Sequence, residues 1–171
     1  MVLTPISDFP QAKPYPPDRL PDSGPCAVLT LDRNDELLLN RLAVEMQQDL
    51  IVQEVWKELL PEASLLISSA ISGGDIRQRF HEAAAERPCW LLVEPVLTQF
   101  PLPCCNGVGT SVVQIPNGPC FYSESLLCYY THSPGFMTLW DTEETLQQKM
   151  LCAKDAGFLG YVYENRNTAA K

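Results

Sequence analysis

The chain has 171 residues, a formal charge of −9 from 21 acidic and 12 basic side chains, and hydrophobic and charged fractions of 46% and 19%. That balance excludes bulk disorder and fits one domain with its own core, while the acidity and the scattered Lys and Arg weigh against nucleic acid and anionic membrane as partners. No apolar run reaches the roughly 18 residues of a membrane span, and the first residues carry no basic or apolar signal region, so a cytoplasmic protein is expected.

Residues 1–25 hold seven of the 15 prolines, which fix φ and remove the N–H groups that helices and paired strands need. An extended proline-rich arm is expected, with Leu3, Ile6, Phe9 and Tyr15 as apolar handles for docking. Cys26–Leu31 is an apolar run between Gly24-Pro25 and Asp32-Arg33-Asn34-Asp35, the pattern of a buried strand. From Asp35 to Leu60 there is no Gly or Pro, and Leu39, Leu42, Met46, Leu50, then Val52, Val55, Trp56 and Leu59 recur at helical spacing. One long helix or two, broken at Gln47-Gln48-Asp49 and ended by Pro61, is expected.

Ala63–Ser69 reads as a second strand, and Gly73-Gly74-Asp75 opens a helix that runs to about Glu86. Cys89–Val93 is apolar on both faces, as in a parallel sheet covered on both sides. Prolines and glycines then interrupt residues 95–119, which are expected to be mostly loop, with a short strand at Thr110–Ile115; Ser123–Tyr130 fits helix or strand. Phe136–Trp140, a helix from Asp141 to Ala156-Gly157, and Phe158–Tyr163 read as a βαβ unit, with Asp141 and Glu144 as a capping box. Residues 165–171 form a polar tail.

The expected fold is therefore a single α/β domain over residues 26–164: a mostly parallel sheet of about four to six strands with helices packed against it, preceded by the arm. Seven cysteines, at 26, 89, 104, 105, 120, 128 and 152, are expected as free thiols, mostly in the core.

Four expected strands run into a carboxylate: Asp32, Glu94, Asp141 and Glu164. In parallel α/β sheets and barrels the C-terminal strand ends converge on the functional face, so these are the candidate site residues. Paired there, they would act as acid and base or hold a divalent cation; separately, Asp141 would cap a helix and Asp32 would lie in a turn. Cys104, Cys105, Cys120, Cys128 and His132 lack zinc-site spacing, and no cofactor or metal is expected. His81 reads as a surface residue and His132 as a loop residue. Gly107-Val108-Gly109 follows no strand and lacks a third glycine, so it is not a dinucleotide loop. Trp56, Trp90 and Trp140 read as core aromatics.

From Trp140 to Glu164 the chain resembles the closing strand-helix-strand of chitinase-like family 18 glycoside hydrolases, on Trp140, Asp141, Thr145, Lys149, Ala153, Lys154, Gly157, Gly160 and Glu164. The resemblance covers about 30 residues, and such a unit arises in many α/β chains. It implies a barrel-type relative, truncated because a full eight-fold barrel takes about 200 residues or more. The family's D-x-x-D-x-D-x-E run is absent: Asp32 and Asp35 are followed by Leu37 and Leu39, so no glycosidase acid carries over.

The leading expectation is a non-enzymatic cytoplasmic binding or accessory domain for a protein or small-molecule ligand. The alternatives are a hydrolase, glycan-directed in the sense of the resemblance, using the strand-end carboxylates, and a protein-interaction or homo-oligomerisation module using the arm.

Overall fold

The structure, a computed structural model, describes residues 4–15, 24–29, 33–46, 50–103, 109–112, 114–115 and 117–163. In chain order it runs through β1 (Gln11–Tyr15), β2 (Cys26–Val28), α1 (Glu36–Met46), β3 (Leu50–Gln53), β4 (Ser64–Ser68), α2 (Ile76–Glu86) and β5 (Cys89–Val93). Then come β6 (Leu97–Pro101), β7 (Thr110–Ser111), β8 (Phe121–Ser123), β9 (Cys128–Ser133), β10 (Phe136–Trp140), α3 (Glu143–Asp155) and β11 (Gly160–Tyr163). These make a single α/β domain whose parallel sheet closes on itself: six strands in the circular order β1-β2-β3-β4-β5-β11, every pair parallel. Between β5 and β11 the chain makes an excursion, a five-stranded antiparallel sheet ordered β7-β6-β10-β9-β8.

Four expectations change. Within the proline-rich arm, Gln11–Tyr15 is a paired strand, bonded in parallel to both β2 and β11. One internal proline removes a single ladder donor, and the carbonyl of Pro10 still accepts from Tyr161 N at 2.9 Å. Ile6 and Phe9, just upstream, pack into the main core, so this part of the arm is docked on its own chain.

The second half of the expected helix begins instead with β3. Leu50 and Val52 face α1 while Ile51 faces inward, so an apolar run buried on both sides matches the helical stripe equally well. The break expected at Gln47-Gln48-Asp49 lies outside the described residues.

Residues 95–119, expected to be mostly loop with a short strand at Thr110–Ile115, contribute an unexpected β6 as well as a shorter strand there, β7, to the antiparallel sheet. Phe136–Trp140 joins that sheet as well, through a hairpin with β9 whose turn holds Gly135 at φ +80°. The expected βαβ unit is therefore a strand of one sheet, a helix, and a strand of the other. Its N-cap lies one residue beyond the expected Asp141, while its C-terminal end falls at Ala156-Gly157 as expected. Thr142 is the N-cap and exchanges side-chain bonds with Thr145. At the other end Gly157 at φ +95° allows Phe158 N to reach Ala153 O and Gly157 N to reach Lys154 O, both at 3.0 Å, a Schellman closure.

Among the described residues no helix is long and apolar enough to cross a membrane. The barrel wall is covered by α2 and α3 over β4, β5 and β11, and by α1 with Trp56 and Leu60 over β2 and β3. Its interior holds Ala12, Ala27, Ile51, Leu66, Trp90, Leu92 and Val162. Barrel diameter falls with strand number, so six strands leave less room than eight. One large side chain, Trp90, is accommodated because Ala12, Ala27 and Gly160 are small; a Cβ on Gly160 would collide with the Trp90 ring and the Pro10 carbonyl. Gly160→Ala is expected to lower stability by about 1–3 kcal/mol or more, as overpacking does, read as a reduced urea midpoint. The pair Gly160→Ala, Trp90→Leu should recover part of the loss, because the ring is the movable half of the clash.

Candidate functional site

Side chains alternate in and out along each barrel strand, so the interior list fixes which residues face the axis beyond it. Ile51 points inward, and so does Gln53; Leu66 fixes Ser68, and Trp90 and Leu92 fix Glu94. Gln53, Ser68 and Glu94 therefore crown the apolar interior at the C-terminal ends of three adjacent strands. The register places them as a staircase: Gln53 pairs with Leu66, Ser68 with Leu92, and Glu94 stands two residues further along β5.

The staircase is a set of hydrogen-bond acceptors. The Ser68 hydroxyl donates to Glu94 Oε2 at 2.8 Å and accepts from Ala70 N at 3.0 Å, which orients the carboxylate from the neighbouring strand. Behind it, Ser69 Oγ bonds both the backbone N and the carbonyl O of Glu94 at 2.9 Å, extending the β4–β5 ladder past the strand ends. Glu94 itself is half-buried. Deeper in, Gln53 Oε1 is buried with no hydrogen-bond partner among the described residues. Buried acceptors are almost always paired, so this carbonyl marks a place where a donor is missing.

Asp141 does different work. It closes the antiparallel excursion: its N donates to Val96 O at 2.9 Å and its Oδ2 accepts from Val96 N at 2.8 Å, so the segment's two ends meet. The same carboxylate accepts from Thr145 Oγ1 and from Lys149 Nζ, each at 2.8 Å, and Lys149 also donates to Ser69 O at 3.1 Å. Both charged side chains are 0% exposed. Asp141, Thr145 and Lys149 are residues on which the family 18 resemblance rests; here they form a hydrogen-bonded junction between barrel, excursion and α3. Asp32 and Glu164 lie outside the described residues, as do Cys104 and Cys105.

The histidines and cysteines sort by burial. His81 is exposed on α2, and His132 is in strand β9, not a loop, edge-on to Phe121 and Tyr130. Cys26, Cys89 and Cys128 are buried, Cys120 is exposed, and all of these are free thiols. Trp56, Trp90 and Trp140 are core residues. Burial pushes the Cys26 and Cys128 thiols up to about 11 from 9.0, and Cys89 up to about 12, with Glu54 and Glu86 adding to the effect of burial at Cys89.

Residues outside the four sequence candidates, Gln53 and Ser68, complete the mouth. The signal for Ser68 was its place at the end of an expected strand; Gln53 becomes visible only once Leu50–Gln53 is read as a strand.

No family model matches the sequence, and no curated protein matches it. Among solved structures, the chain is similar to the spore cortex-lytic enzyme SleL of Bacillus cereus, with 12% identity, a TM-score of 0.49, and coverage of 83% of this chain and 44% of that one. It is also similar to SleL of Bacillus megaterium QM B1551, with 12% identity, a TM-score of 0.46, and coverage of 75% and 40%. The chain thus spans less than half the length of either structure.

Two measurements test this account. Lys149→Met strands a buried carboxylate, so a loss of about 3–5 kcal/mol is expected by chemical denaturation; adding Asp141→Leu should restore stability, which a purely steric role for Lys149 would not predict. For the thiols, a raised folded pKa means the folded state holds the proton more tightly. The stability this confers is complete below about 9 and is lost as pH climbs towards 11–12. Iodoacetamide at pH 8 should label Cys120 rapidly, and Cys26, Cys89 and Cys128 only on unfolding, with protection of those three falling as pH rises from 9 towards 11–12.

Proposed function

We propose that the chain is a ligand-binding barrel that takes a small, neutral or cationic ligand rich in hydrogen-bond donors, such as a polyol or saccharide, at the C-terminal mouth, without turning it over. The observation that carries this reading is the acceptor staircase of Glu94, Ser68 and Gln53 above an apolar barrel interior. An unsatisfied buried acceptor costs about 1–3 kcal/mol, which a ligand hydroxyl or amine would recover on binding. The formal charge of −9 favours neutral or cationic ligands over phosphates. Against turnover stands Asp141, whose carboxylate already accepts from Val96 N, Thr145 and Lys149 and has no role left as acid or base.

One observation favours a second reading, a glycan-directed hydrolase: Glu94 occupies the face at which parallel barrels act. Glycoside hydrolysis takes two carboxyl groups about 5–10 Å apart. With Asp141 committed, Asp32 and Glu164 are the remaining candidates for the second.

A thermal-shift and calorimetric screen with glucose, N-acetylglucosamine and inositol, with glucose 6-phosphate as the anionic control, tests the binding reading. Neutral ligands should raise Tm in the millimolar range, and Glu94→Gln and Gln53→Leu should each weaken the effect about tenfold or abolish it, in line with losing one buried hydrogen bond to a charged or orphaned acceptor. Indifference of Tm to every neutral ligand overturns the proposal. Release of chromophore from aryl glycosides, lost in Glu94→Gln, would install the hydrolase reading in its place.

A further inference from the structure

On the outer wall of the barrel, α2 and α3 both lead into neighbouring strands and lie side by side, and the space between them opens into a groove of about 530 Å³. That volume is within the range of small-molecule sites. α2 lines it with Arg77 and His81, one turn apart; α3 lines it with Gln148, Leu151, Cys152 and Asp155, a single helical stripe. Leu127 and Leu151 add an apolar part to this otherwise polar lining.

Two fixed contacts shape the end nearest Arg77. Arg77 Nη1 donates to Glu124 O at 2.9 Å, which anchors the guanidinium and uses one of its five N–H groups. The Tyr122 hydroxyl donates to Gln148 Oε1 at 2.6 Å, which leaves the amide nitrogen of Gln148 as the group with donors to offer. Arg77 and Gln148 together are suited to a carboxylate, the guanidinium supplying the charge-assisted bonds. At the other end of the stripe, Asp155 offers an acceptor for a cation. Arg77 and Asp155 both act on the Cys152 thiol between them, yet among the described residues no ion pair joins Asp155 to Arg77 or His81. Opposite charges are held on two walls of one cavity without closing on each other.

We propose that this groove is a second ligand site, distinct from the barrel mouth, and that it takes a dipeptide with an apolar side chain: carboxylate on Arg77 and Gln148, ammonium on Asp155, side chain against Leu127 and Leu151. Gln148 and Asp155 are seven residues apart, about 10 Å along α3, and an extended dipeptide spans about 7 Å between its termini. A hydrogen bond of about 3 Å makes up the difference, whereas a single amino acid, spanning about 3.5 Å, leaves a wider gap.

The test uses the full chain and the dipeptide Ala-Leu, followed by the His81 imidazole NMR signals and by calorimetry. Saturable shifts in the millimolar range are expected. N-acetyl-Ala-Leu, which lacks the ammonium, and Ala-Leu-amide, which lacks the carboxylate, should each bind about tenfold more weakly, the effect of losing one charge-assisted contact. Asp155→Asn should erase the difference between Ala-Leu and its acetylated form, and Arg77→Gln the difference between Ala-Leu and its amide. Glu94→Gln, at the barrel mouth, should leave all of these values unchanged. Absence of saturable shifts overturns the site; equal affinity for the acetylated peptide overturns the zwitterion assignment and leaves a plain anion site. Asp155→Asn alters an exposed position, so it stays informative even if Arg77→Gln disturbs the start of α2.

Discussion

The structure turns on one ion pair placed where charges are expensive. Asp141 and Lys149 are sealed from solvent, and moving such ions out of water costs several kcal/mol each unless every bonding position is filled. The cost is offset from three directions: Val96 at the exit from the barrel, Thr145 in the first turn of α3, and Ser69 just past β4. Ser69 then bonds the backbone of Glu94 with its own hydroxyl. A continuous run of hydrogen bonds thus leads from the buried pair to the backbone that carries the mouth carboxylate. The pair that holds the antiparallel sheet to the barrel also sets where Glu94 stands.

The barrel's economy lies in its small side chains. Six strands leave a narrow interior, and its packing works because three of them present Ala or Gly where β5 presents an indole. The apolar layer ends abruptly at Gln53, Ser68 and Glu94. Above it Glu94 and Gln53 Oε1 present acceptors at the mouth of an acidic chain. The groove outside the barrel has the opposite character, with both charges present and neither spent on the other.

How much of this the sequence disclosed depends on how local each feature is. Ser64–Ser68, Ile76–Glu86 and Cys89–Val93 were legible because Gly, Pro and an Asp75 N-cap bracket them, and the cap bonds Arg77 N and Gln78 N as its position suggests. β3 was not, since four residues buried on both sides carry no period of their own. Closure of the barrel was hidden for a different reason: it depends on β1 meeting β11 across the whole chain, inside a segment whose prolines argue locally against any strand. In the excursion Phe136–Trp140 and a short strand at Thr110 were legible, whereas Leu97–Pro101 was obscured by the prolines around it. For the site, Glu94 was legible as a strand-end carboxylate. Asp141 was flagged for its position, but position could not reveal that Lys149 and Val96 would claim it.

The two ends of the antiparallel excursion touch. Val96 and Asp141 exchange a backbone bond of 2.9 Å and a side-chain bond of 2.8 Å, so the chain leaves the barrel and re-enters at almost one point. A segment anchored in this way enters and leaves the barrel at one junction, and it is held again by Leu127, which sits in the main core, and by Ser125 O, which accepts from Ile76 N at 2.8 Å. The ring contacts of Tyr122, Tyr129 and Trp140 on that sheet, and the hydroxyl bond to Gln148, sit apart from the polar groups at the mouth. The architecture sets an outer sheet against a closed interior, and a buried aspartate marks the boundary.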